Sequence, residues 1–191
     1  MRVNGSLLDL LLEVQILDRV PRIGYPMRGV ADGESVTEHS WHVVFLVWAI
    51  GPRIAGLDVA RAMEIALVHD LAELRIGDLP QVASRYFPPG AKQAAESAAL
   101  EEILAPLPAA SRALFAEYLA GQSQEARLVK ACDKLQLMLK VATYERGGAG
   151  GLKEFWGNPA NFTDGGFAEV RELFEELRRR HESGSGGGFP G

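Results

Sequence analysis

The stretch ALVHDLAELRIGDLP, residues 66–80, carries the question on which the fold turns. Apolar Ile65, Ala66, Leu67 and Val68 lead straight into His69, Asp70, Glu73 and Asp78, four ionisable groups at the end of what reads as a buried helix. Desolvating a charge is expensive unless it is paired or bound to a cation. These side chains therefore demand a partner: another side chain, a helix dipole or a metal ion. On a helix, His69 and Glu73 share one face and Asp70 and Glu73 are neighbours. His69 and Asp70 diverge by about 100°, yet both reach one ion placed near the helix end. Imidazole nitrogen with carboxylate oxygen suits Mn, Fe, Co, Ni or Zn better than Ca.

Outward from this stretch, apolar residues recur at helical spacing nearly everywhere, and no alternating strand of useful length appears. The pattern predicts an all-α, single-domain bundle of about six or seven helices. Helices are expected at 7–18 after Ser6, 36–50, 58–74, 91–104, 109–120, 123–146 and 166–181. Ser35-Val36-Thr37-Glu38 fits a capping box and sets the start of the second. Residues 20–32, with two prolines and two glycines, read as a loop, as does the segment holding Pro80, Pro88 and Pro89. The domain is expected over 1–182, and residues 183–191 form a Gly-rich C-terminal tail with no core-forming pattern.

Composition narrows the function classes. The 191 residues carry a formal net charge of −5, which argues against general nucleic-acid binding but leaves room for a small phosphorylated ligand. No apolar run is long and uncharged enough to span a bilayer, and no signal peptide opens the chain, so no membrane partner is expected. The single cysteine, Cys132, precludes an intramolecular disulfide and favours a reducing, cytoplasmic setting.

Two ligands do not make a metal site, and further ones must come from elsewhere. Of the four histidines, His39 and His42 stand three apart in TEHSWHVV and either can face inward, whereas His181 sits in a basic helix end. Asp133, in LVKACDKLQLMLKV, lies in a helix that Val129, Cys132, Leu135, Leu137 and Leu139 make largely buried. An inward Asp there needs a cation; Lys130, Lys134 or Lys140 supplies it in the plainer reading. Taken singly, His42 reads as a packed histidine, Glu73 as a surface acid and Asp78 as an N-cap. The order His, His-Asp, Asp on three major helices outweighs any one member.

That arrangement resembles the HD-domain superfamily of metal-dependent phosphohydrolases. More narrowly, it resembles the branch of bacterial 5′-deoxynucleotidases and the eukaryotic HD-domain-containing protein 2 family. The matching stretches are VPRIGYPMRGV, ESVTEHSWHV, ALVHDLAELRIGDLP, EARLVKACDKLQLMLKVATYE and GLKEFW, spread from about Leu7 to Arg179. The block HDxAExxxGDxP, combined with TEHS and KxxDKLQ, is far more specific than His-Asp alone. By position, the resemblance implies one divalent metal ion (Co, Mn, Fe, Ni, Zn or Mg) bound by His39, His69, Asp70 and Asp133. It leaves His42 to packing. It implies that Glu73 activates the attacking water, that Asp78 serves near the leaving group and ribose, and that Arg22 holds the substrate phosphate. Tyr25, where relatives often carry tryptophan, is expected at the substrate.

The activity so implied is hydrolysis of (deoxy)nucleoside 5′-monophosphates to nucleoside and phosphate by a homodimer whose apolar first helix serves the contact. The metal set leaves two alternatives open: an HD hydrolase acting on a triphosphate, cyclic nucleotide or alarmone, and a non-catalytic metal- or nucleotide-binding module.

Overall fold

The computed structural model describes residues 6–184 and is all-helical, with one isolated antiparallel bridge between Pro21 and Ser35 and no strand among those residues. The helices are α1 (Leu7–Val14), α2 (Val36–Ile50), α3 (Val59–Val68), α4 (Glu73–Ile76), α5 (Gln81–Ser84), α6 (Ala91–Ile103), α7 (Ala109–Ala120), α8 (Gln124–Arg146), α9 (Lys153–Gly157) and α10 (Ala168–Glu182), with 3₁₀ turns at Gln15–Arg19, Pro26–Arg28, Gly51–Arg53 and Pro159–Phe162. None is long and apolar enough to cross a membrane. From residue 185 on, the glycine-rich tail lies outside the described residues.

The long helix α8 is the axis. Val129, Cys132, Leu135, Met138 and Val141 are all buried along it, and α2, α3, α7 and α10 pack around it. A helix apolar around most of its circumference is a buried one. Leu139, expected inside, is exposed, and Met138 takes the core position. Val43 and Val47 on α2 and Ile65 on α3 are fully buried against the same core; each such side chain contributes about 1.5–3 kcal/mol. A second cluster joins Leu10 of α1, Ala72, Ala99, Leu100 and Ile103 of α6, and Phe115 of α7.

Local chemistry fixes the elements that carry the site. Ser35 Oγ accepts from the Glu38 N–H at 3.2 Å and Glu38 Oε2 accepts from the Ser35 N–H at 2.7 Å. This capping box starts α2 at Val36, so His39 falls in its first turn. The loop before it is closed at its neck: the Arg22 N–H donates to the Glu34 carbonyl at 3.0 Å and the Val36 N–H to the Val20 carbonyl at 2.8 Å.

The expected helix 58–74 does not run through. It stops at Val68, residues 69–72 turn, and α4 begins at Glu73. The physical reason is the His69 ring: its Nδ1 donates to the Ala66 carbonyl at 2.7 Å and so caps the helix end with a side chain. The turn also relieves the roughly 100° divergence that a continuous helix imposes on His69 and Asp70. Two short helices, α5 and α9, stand where the sequence predicts loop.

Candidate metal and phosphate site

The first turn of α2, the end of α3 and the middle of α8 meet at one point. His39 Nε2 lies 3.3 Å from His69 Nε2 and 3.4 Å from Asp70 Oδ2, and His69 Nε2 lies 3.4 Å from the same Asp70 oxygen. Asp133 Oδ1 is 3.3 Å from His39 Nε2. All four residues expected at a metal are thus gathered, the tightest group being His39, His69 and Asp70. Both imidazoles are buried, His39 fully. His42 and His181 lie elsewhere. His42 packs edge-on against Trp41 with its Nδ1 3.8 Å from Glu34, and His181 stacks on Trp156.

The donor set fits a divalent ion. Metal–ligand bonds of about 2.0–2.2 Å place adjacent ligand atoms roughly 3–3.4 Å apart, which is the spacing of this triangle. The Nδ1 of His69 is committed to a carbonyl and the Nδ1 of His39 to the Gln136 Oε1 at 2.6 Å. Carbonyl oxygens only accept, so each neutral ring carries its proton on Nδ1 and turns the Nε2 lone pair to a common point. Two lone pairs and a carboxylate oxygen converging there repel one another unless a cation lies among them.

Without an ion, protons and Arg22 supply that charge. Burial and the Arg22 charge push His39 down, but hydrogen bonds to Asp133 and Asp70 override them and lift it to about 9. Burial lowers His69. Burial would raise the Asp70 carboxyl, yet His69, His39 and Arg22 hold it well below the usual range. Asp133 is likewise depressed, against its burial, by Lys134 and His39. Lys134 Nζ sits 3.0 Å from Asp133 Oδ2, so the lysine partner of the plainer reading exists, while Oδ1 still faces His39.

Arg22 reaches across to the same corner. Its Nη1 donates to Asp70 Oδ2 at 2.8 Å and lies 3.7 Å from Glu73 Oε1 and 3.6 Å from Asp78 Oδ1. Asp78 holds the Arg22 loop in place, its Oδ2 accepting from the Ile23 N–H at 2.6 Å. Glu73 is 6% exposed and its Oε2 is a buried oxygen with no hydrogen-bond partner. Burial, reinforced by the Asp70 charge and opposed by Arg22, pushes its carboxyl up to about 10.

Tyr25, expected at the substrate, packs its ring inward, and its buried hydroxyl has no hydrogen-bond partner. Its ring is 2% exposed and lies in the core, 5.0 Å from Tyr144 and 6.0 Å from Phe155 between ring centroids. It anchors the Arg22 loop from beneath. Four residues near the site carry no role in the sequence reading. Glu34 and Gln136 stand behind His39. Tyr118 packs edge-on against His69 at 5.8 Å. Glu96, paired with Lys92 at 3.4 Å, lies near enough for the Asp70 charge to raise its carboxyl alongside burial. The readable signal for Gln136 was an amide three residues after Asp133, on the same face of a buried helix.

Comparison with known proteins agrees with this geometry. The HD domain family model matches residues 14–170, from α1 into α10, and so includes every residue gathered at the site. The mouse 5′-deoxynucleotidase HDDC2 is 34% identical over 182 residues, covering 91% of this chain and 87% of its own. The human protein of the same name is 33% identical over 178 residues, covering 90% and 84%. A solved structure of a conserved hypothetical protein from Pyrococcus furiosus superposes with a TM-score of 0.78 at 36% identity, covering 90% of this chain and 99% of that one. The match spans the histidine that closes α3 and the aspartate after it, which set this helix end apart from an ordinary one, and the chain belongs to the HD-domain family.

Proposed function

We propose that the protein is a divalent-metal-dependent phosphomonoesterase that hydrolyses (deoxy)nucleoside 5′-monophosphates to nucleoside and phosphate. The observation that carries this reading is the triangle of His39, His69 and Asp70 donor atoms set beside a buried, partnerless Glu73 oxygen and the Arg22 guanidinium. The relatives named 5′-deoxynucleotidase support the choice of substrate. His39, His69, Asp70 and Asp133 would hold the ion. Such an ion neutralises phosphate charge and acidifies the water beside it.

The remaining work falls to the chain's own side chains. Arg22 exchanges its carboxylate partners for the phosphate, which its planar fork grips through two parallel N–H bonds. Glu73 accepts a proton from the attacking water. The water oxygen forms the new bond to phosphorus as the bond to the 5′ oxygen breaks. Asp78, beside Arg22, lines the leaving-group side as a hydrogen-bond acceptor for the sugar, and the departing 5′ oxygen takes up the proton that Glu73 received from the water.

Phosphate release from a panel of nucleoside monophosphates, with Mn, Co, Mg, Zn and chelator compared, tests the reading. Release from deoxynucleoside 5′-monophosphates, lost in chelator, is expected. Arg22→Lys should raise KM about tenfold, the equivalent of roughly 1.4 kcal/mol of phosphate grip. A metal-loaded protein that releases no phosphate from any monophosphate defeats the proposal.

The same reading includes a homodimer. Leu8, Leu11, Leu12 and Ile16 lie exposed along α1 and its 3₁₀ extension, and an apolar face of this kind marks a contact surface. Sedimentation velocity should give twice the chain mass, and Leu11→Lys should halve it. A monomer at micromolar concentration rules the dimer out.

A further inference from the structure

Behind His39, on the side of the ring away from His69 and Asp70, stands a chain of buried polar groups. Gln136, 3% exposed, donates from Nε2 to both oxygens of Glu34, at 2.8 and 3.1 Å. Glu34, also 3% exposed, is held in turn by Lys140, whose Nζ lies 3.1 Å from Oε2. Its backbone N–H donates to the Tyr144 hydroxyl oxygen at 2.7 Å, which fixes the start of the chain. The far end of the Gln136 side chain is the Oε1 that receives the His39 Nδ1 proton at 2.6 Å.

The logic of donors and acceptors runs one way along this chain. A carboxylate only accepts, so the face of the Gln136 amide toward Glu34 must be the NH2 group. The opposite face is then the carbonyl oxygen, which cannot donate. His39 must present Nδ1–H to it, and its Nε2 lone pair is left for the site. A glutamine alone does not impose this, because its amide turns over to offer NH2 at the cost of one rearranged bond. Glu34, neutralised by Lys140, forbids that turn.

The two histidines of the site are thereby fixed by different means. His69 is oriented by the Ala66 carbonyl, a backbone atom of the helix it caps. His39, in the first turn of α2, has no such carbonyl behind it and depends on side chains from residue 34 and from α8. Asp133 and Gln136 are three apart on α8 and share a face, so one helix delivers both a ligand and the group that orients another.

We infer that Gln136 is a positioning residue, locked by Glu34 and Lys140, that sets the His39 ring in the Nδ1–H form and so prepares Nε2 to bind the divalent ion. The inference rests on the metal site proposed above and adds to it the residues that determine its affinity. Partners of this kind change metal affinity by about 10- to 100-fold when removed.

Metal-stripped protein titrated with Co2+, read by calorimetry and by the visible absorption of the bound ion, supplies the test. Gln136→Met should weaken Co2+ binding about 10- to 100-fold. Glu34→Leu, which leaves Gln136 in place but frees its amide to turn, should weaken it about tenfold. Glu34→Gln, whose amide oxygen the donor-only Lys140 keeps at the place of Oε2 beside the Gln136 NH2, should bind within a few-fold of the parent. A merely packed role would reverse this order, since leucine fills an apolar site better than glutamine. Should Gln136→Met fail to fold, the two Glu34 variants decide the matter. A parent that binds Co2+ together with variants that bind it equally well overturns the positioning role alone. A parent that binds no Co2+ overturns the metal site and this role with it.

Discussion

Asp70→Ala is expected to abolish metal binding and to slow phosphate release by about three orders of magnitude or more, roughly 4 kcal/mol of barrier. Its carboxylate joins both imidazoles and the phosphate-binding arginine of the site. A single oxygen, Oδ2, stands 3.4 Å from His39 Nε2, 3.4 Å from His69 Nε2 and 2.8 Å from Arg22 Nη1. Its removal deletes one corner of the ligand triangle and leaves the two imidazole lone pairs facing each other at 3.3 Å. It also frees Arg22 to pair with Glu73 and Asp78 alone, which shifts the guanidinium away from where phosphate must meet the ion. Asp133 cannot take over the corner, since its Oδ2 is held by Lys134. The variant should remain folded by circular dichroism, because Asp70 lies in a turn and the α2–α3–α8 core does not depend on it. Elemental analysis of the purified variant, with rates measured at saturating Mn or Co, checks the outcome. Full turnover by a metal-free Asp70→Ala preparation would eliminate the hydrolase scheme.

How much of this was legible depended on whether a residue's role followed from its own neighbours in sequence. His39 was readable because Ser35 and Glu38 announce the start of α2 and so place the histidine in its first turn. Asp133 was readable as a charge inside an apolar helix. The end of α3 was not, because an apolar period continues through Leu71 and Leu74, and only the His69 ring reaching back to Ala66 stops the helix. Glu34 was hidden by its position: one residue before an N-cap, it looks like a loop acid. Its burial comes from α8, 102 residues away at Gln136. The packing of Tyr25 was hidden for the converse reason. Its neighbours, Pro21, Arg22 and Gly24, read as a ligand loop, but Tyr144 and Phe155, contributed from distant helices, draw its ring into the core. Periodicity and caps report local structure, whereas the polar contacts that finish the site are long-range.

For Glu73→Gln the expected result is nearly the opposite of that for Asp70: metal retained and turnover lost by a factor of about 10²–10⁴, the usual contribution of a positioned general base. Glutamine keeps the shape and the burial of the side chain, and Glu73 does not belong to the compact ligand group. What it removes is the capacity to take a proton. The electrostatics supply an independent check that needs no metal. In the ion-free protein, burial and the Asp70 charge push the Glu73 carboxyl from an ordinary 4.5 to about 10. The native state then binds a proton more tightly than the unfolded chain, and stability falls as pH rises between those two values. Its contribution is complete below about 4.5 and lost by about 10. Glu73→Gln cannot titrate, so the stripped variant should lose less stability than the stripped parent between pH 6 and about 9, as measured by urea denaturation. A divalent charge at the His69–Asp70 corner acts in the opposite direction, favouring the carboxylate and making the base available near neutrality. Adding metal should therefore flatten the pH dependence of the parent and leave that of the variant unchanged. If Glu73→Gln turns over within a few-fold of the parent, water is deprotonated by another group. If instead the stripped parent and variant share one pH–stability curve, Glu73 is ionised in the folded protein, and the burial of its oxygens does not set its charge.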